Sequence, residues 1–181
     1  QVHRRVGAIL KKKDKLFSGG KSDEGAWVAN IGNLDAIEAL SEACEEVGDE
    51  SGFECGLGID VAASSLWNVK ERNYAYRREH RKRDSGEQLE FIRELIREYH
   101  LVYVEDPFHE EDYGSFAELT RKEKNCLICG DDLFVTNSER LSRGIKRHAA
   151  NAVIIKVNQV GTLADAWETI EMAKKNGYIP V

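Results

Sequence analysis

Short apolar runs alternate with longer stretches of helical period through most of this chain, and the cycle returns about every 25 to 45 residues. Residues 54–60, 101–105, 127–131, 152–157 and 178–181 read as strands. Between them, residues 86–100 set Leu89, Ile92, Leu95 and Ile96 on one helical stripe. Further helices run through Phe116 and Leu119, through Leu141 and Ile145, and over residues 163–175, while residues 34–46 form an amphipathic helix upstream. Strand and helix in strict alternation require parallel strands joined by right-handed crossovers, so the fold is α/β, either a doubly wound sheet or a β/α barrel.

The strand ends separate these two. Asp60, Glu105, Asp131 and Lys156 each stand at or beside the C-terminal end of a different apolar run, where a β/α barrel places its reactive groups. No G-x-G-x-x-G follows any strand, so an open dinucleotide-binding sheet lacks its phosphate loop. A barrel follows, but only part of one. About five strands are present where a closed barrel needs eight, and 181 residues fall short of its usual length. The expectation is one incomplete barrel domain over residues 1–181, with further strands belonging to a larger protein.

Three carboxylates on successive strand ends make a hard oxygen site of the kind that suits Mg²⁺ rather than zinc. Taken singly, each acid reads as a solvated loop charge or a helix cap. Their recurrence at equivalent positions argues otherwise, because strand ends do not otherwise gather charges that must be desolvated. Lys156 interrupts the apolar run Val-Ile-Ile-Lys-Val. Beside a divalent cation its ammonium form is disfavoured, as a general base requires; otherwise it is a lysine paired with a neighbouring carboxylate.

Composition excludes several classes. With 41% hydrophobic and 32% charged residues the chain can bury one ordinary core. A net charge of −6 speaks against a surface that seeks nucleic acid. No apolar run approaches the roughly 18 residues of a bilayer span, which makes a cytoplasmic location the expectation. Cys44, Cys55, Cys126 and Cys129 read as reduced thiols, and the Cys126–Cys129 pair lies in an apolar strand as buried small side chains. Gly20-Lys21-Ser22 is like the end of a phosphate loop, but Lys15 stands where that loop needs glycine. The basic run 70–83 reads as a solvated excursion between a strand and a helix. The histidines are scattered on the surface, with His109 near enough to the Glu105 strand end to line the mouth.

The stretches Gly58-Ile-Asp-Val-Ala-Ala-Ser64, Val104-Glu-Asp-Pro-Phe108, Gly130-Asp-Asp-Leu-Phe-Val-Thr-Asn137 and Ile155-Lys-Val-Asn-Gln-Val-Gly161 occur in this order, preceded by Asp23-Glu-Gly25. Together they resemble the successive barrel motifs of the enolase family, from about Ser18 to the end of the chain. Ser22 and Ala26 depart from glycines common in that family. The resemblance implies a partial enolase-type TIM barrel and the reversible dehydration of 2-phosphoglycerate to phosphoenolpyruvate in glycolysis and gluconeogenesis. It implies Asp60, Glu105 and Asp131 as Mg²⁺ ligands, Lys156 as the base at C2 and Glu24 as the acid at the C3 hydroxyl. It also implies a homo-oligomeric intact protein. The family's amino-terminal domain and its last barrel strands, with their Ser-His-Arg-Ser motif, find no counterpart here. The 181 residues alone are therefore expected not to turn over substrate, and a non-catalytic binding or scaffolding fragment is the alternative.

Overall fold

The computed structural model describes residues 1–181, which divide into two compact units, Gln1–Leu57 and Gly58–Val181. In the first, α1 (Val2–Lys13) and α2 (Asn33–Ser51) pack together. Ile9 and Leu10 meet Ala39 and Ala43, whose small side chains let the helices approach, and Val6, Phe17, Trp27 and Ile31 close the cluster. Arg5 pairs with Glu46 and Glu50 beside it. Gly52 ends α2 in the left-handed conformation (φ 72°) that favours glycine. Helix α1 was not among the expected elements; its Val2, Val6, Ile9 and Leu10 stripe is set among five lysines and arginines and has no side-chain cap.

The second unit runs β1 (Gly58–Asp60), β2 (Trp67–Asn68), β3 (Asn73–Tyr76), β4 (Arg81–Arg83), α3 (Ser85–Glu98), β5 (Tyr103–Glu105), α4 (Tyr113–Lys122), β6 (Leu127–Gly130), α5 (Ser138–Arg147), β7 (Ala152–Val153), α6 (Val157–Val160), α7 (Leu163–Lys175) and β8 (Ile179–Pro180). Strands β1, β5, β6, β7 and β8 pair in that order, all parallel. The α/β partial barrel is thus present with its five strands, each lying inside the run expected of it but shorter. Val104, Phe108, Phe116, Ile128, Phe134 and Leu141 are fully buried among the sheet, its loops and the helices. Helices α3, α4, α5 and α7 start on side-chain caps from Asp84, Asp112, Asn137 and Thr162.

One expectation is corrected here. The basic run 70–83 is not simply a solvated excursion: β3 and β4 lie within it and form an antiparallel sheet with β2 just upstream. Tyr74 and Tyr76 alternate inward and are buried, and the Arg83 guanidinium lies 3.7 Å from the Phe91 ring centroid. The charges that made the stretch look solvated flank a period-two pair of aromatics. The Tyr76 hydroxyl donates to Gln88 on α3, and Gln88 donates in turn to the Pro107 carbonyl, so the small sheet is tied to the loop after β5. No helix is long and apolar enough to cross a membrane.

Candidate active site at the strand ends

Parallel register brings the acids to one rim. Asp60 pairs with Glu105, Glu105 with Cys129, and Gly130 with Val153, so Asp131 follows the end of β6 directly. Gly130 has no room for a side chain: a Cβ there would stand 2.7 Å from the Phe134 ring and 2.9 Å from Leu133. Lys156 is not on a strand as the apolar run suggested. Strand β7 stops at Val153, and Lys156 is the residue before α6.

Carboxylate oxygens of Asp60, Glu105 and Asp106 lie within 4.8 Å of one another, and those of Asp106, Asp131 and Asp132 do the same. Asp106 therefore bridges two acidic groups, and the expected set Asp60, Glu105 and Asp131 is spread across both. Asp106 is buried, its Oδ1 accepting from the Asp131 amide (3.1 Å) and its Oδ2 from the Asp132 amide (2.8 Å). Burial pushes its carboxyl up to about 7 despite those two donors. Glu105 accepts from the Tyr103 hydroxyl; burial raises it, and Asp60 and Asp131 raise it further by repulsion. Hard oxygen donors crowded until they resist ionisation are what a divalent cation relieves, so this donor set fits Mg²⁺.

The Lys156 ammonium pairs with Asp131 Oδ2, and Gln159 Nε2 donates to Oδ1 at 3.1 Å. The Asp131 hydrogen bond raises the lysine above its usual value. The lysine thus places a positive charge at Asp131. His109 is not among the acids: its ring stacks on Trp67 at 4.3 Å between centroids, and its Nδ1 accepts from the Glu111 amide. The Cys126 and Cys129 thiols are buried, unpaired and pushed up to about 12 by burial, and they join no ligand cluster.

Residues 1–181 match, over their whole length, the family described as "Enolase, C-terminal TIM barrel domain". The chain belongs to the enolase family. It is 54% identical to the enolase of Methanosphaera stadtmanae, a match over 99% of this chain and 44% of that protein. It is 51% identical to the enolase of Methanothermobacter thermautotrophicus over the same shares, and 53% identical to that of Pyrobaculum aerophilum over 98% of this chain and 42% of the relative. The chain thus spans less than half the length of these enolases. The family match begins at Gln1 rather than near Ser18, so it includes α1.

The enolase-like acidic motif lies in the Gln1–Leu57 unit. Glu24 is exposed in a turn closed by the Gly25 amide on the Ser22 carbonyl (3.0 Å), with Gly25 at φ 83°. Ser22, a departure from the enolase pattern, accepts at Oγ from the Ala26 amide (3.2 Å). In the second unit, sequence reasoning passed over Tyr103, Asp106, Asp132, Thr136 and Gln159. Asp106 had a visible signal, an acid directly after Glu105, but an alternating strand would have sent it to the other face.

Proposed function

We propose that this chain is the barrel part of an enolase-type lyase that interconverts 2-phosphoglycerate with phosphoenolpyruvate and water. The observation that carries the reading is the Lys156 ammonium standing against Asp131 at the rim where Asp60 and Glu105 also end. Removing a proton beside a carboxylate adds a second negative charge to that group, so the reaction needs a positioned base and cations close by. Asp60, Glu105 and Asp131 would hold Mg²⁺, which supplies electrostatic stabilisation of the doubly charged carboxylate. Lys156, once its ammonium has released a proton to solvent, would accept the C2 proton at Nζ as the neutral amine, and Glu24 would deliver a proton to the C3 hydroxyl, which departs as water. Asp106 holds the Asp131–Asp132 backbone through its two accepted amides.

The test replaces the corresponding segment of the Methanosphaera stadtmanae enolase by these 181 residues. The hybrid is expected to form phosphoenolpyruvate with Mg²⁺. Lys156→Ala should abolish exchange of the C2 proton with solvent, while Glu24→Gln should keep exchange and lose dehydration. A folded hybrid that binds Mg²⁺ and shows neither reaction would favour a non-catalytic role, and equal loss of exchange in both variants would overturn the division of base and acid.

A further inference from the structure

Val135 and Thr136 are consecutive β-branched residues with left-handed backbones (φ 44° and 53°), conformations that such residues rarely hold unless their surroundings impose them. Thr136 is fully buried, and its surroundings are specific. Its Oγ1 accepts from the Lys156 backbone amide at 2.9 Å and donates to Gln159 Oε1 at 2.8 Å. Gln159 Nε2 donates to Asp131 Oδ1, whose partner oxygen holds the Lys156 ammonium. The path closes on itself: Asp131 carboxylate, Lys156 side chain, Lys156 amide, Thr136 hydroxyl, Gln159 amide, Asp131 carboxylate. From below, Thr169 on α7 donates to the Thr136 carbonyl at 2.9 Å, anchoring the node to a helix.

We propose that Thr136 and Gln159 are positioning residues that set the Lys156 ammonium against Asp131, with the Thr136 hydroxyl as the node. The functional meaning of this placement rests on reading Lys156 as the base and Asp131 as a metal ligand. A hydroxyl is needed because the node must accept from one partner and donate to another at the same time. Valine has the same shape and can do neither, whereas serine can do both. Gln159 is needed because its amide turns an accepted bond at Thr136 into a donated one at Asp131. Thr136 touches neither the rim nor the reacting atoms, so its effect is on where Lys156 stands.

The test is competitive acetylation of the 181-residue chain by trace acetic anhydride, with each lysine quantified by peptide mass spectrometry and Lys146 and Lys174 as references. Thr136→Val is expected to raise Lys156 labelling about threefold relative to the references, the size expected of losing a half-exposed ion pair. Thr136→Ser should label as the parent chain does. Gln159 is exposed, so Gln159→Leu keeps the fold and should raise Lys156 labelling about twofold. A purely structural role would raise all lysines together. An unchanged Lys156 ratio in Thr136→Val, or in Gln159→Leu if Thr136→Val does not fold, would overturn the proposal, as would a Thr136→Ser chain that labels like Thr136→Val. Saturating Mg²⁺ should also release Lys156 to labelling in the parent chain. Should Mg²⁺ have no effect while the Thr136 series behaves as stated, the metal reading fails and the positioning role stands.

Discussion

Asp106 spends both carboxylate oxygens on the amides that carry Asp131 and Asp132, and it does so in a buried place that resists its ionisation. Its value rises from 3.8 in an unperturbed chain to about 7 in the fold, so between those limits the folded chain holds more protons than the unfolded one. Stability of the metal-free chain should therefore fall as pH rises through that window, by at most about 1.4 kcal/mol for each pH unit. Burial shifts Glu105 and Asp132 in the same direction. Urea unfolding near both limits would check this, with Asp106→Asn showing the shallower dependence; equal dependence in the two chains would remove Asp106 as its source. Lys156 and Mg²⁺ compete for Asp131 in the same reading. Calorimetric titration should then find Mg²⁺ bound more tightly by Lys156→Ala and more weakly by Asp131→Asn, each by about tenfold, since a partly buried charge pair is lost in one case and a ligand in the other.

Elements owe their exact positions to a few close approaches. Helix α5 carries Gly144, where a Cβ would lie 2.4 Å from the buried Phe134 ring. Alanine in a helix interior ordinarily stabilises over glycine by about 1 kcal/mol. Here Gly144→Ala should destabilise by about 1–3 kcal/mol instead, because Phe134 is enclosed and also packs against Gly130. A urea midpoint at or above that of the parent chain would contradict this packing. Arg140 of α5 ties two rim loops together, donating from Nε to the Leu133 carbonyl and from Nη2 to the Glu110 carbonyl while pairing with Glu111. The helix caps rest on local spacing alone, as in Asp84-x-x-Glu87 and Thr162-x-x-Asp165. Strands β2 to β4 were not legible in the sequence, because their two inward tyrosines are outnumbered by charges that point to solvent.

At the scale of the Gly58–Val181 unit, a cation bound only by the folded rim must stabilise it. At about 100 times its dissociation constant Mg²⁺ should add about 2.7 kcal/mol, raising the thermal midpoint of the chain, while Asp131→Asn should respond much less. An unmoved midpoint in the parent chain would mean that the rim does not bind Mg²⁺. The sequence by itself determined the class of fold and the strands that end at or beside Asp60, Glu105 and Asp131, because apolar runs and helical stripes are local and their spacing survives in one dimension. It determined the family too, since ordered motifs carry identity without coordinates. What only the tertiary structure decided lies between residues far apart in the chain: the pairing of Lys156 with Asp131 across 25 positions, the bridging place of Asp106, and the buried hydroxyl of Thr136 beneath the lysine. Those contacts follow from parallel register and from single residues turned into the left-handed region, Asp106 at φ 40° and Thr136 at φ 53°, and neither a register nor a backbone angle held by its surroundings is written in local pattern.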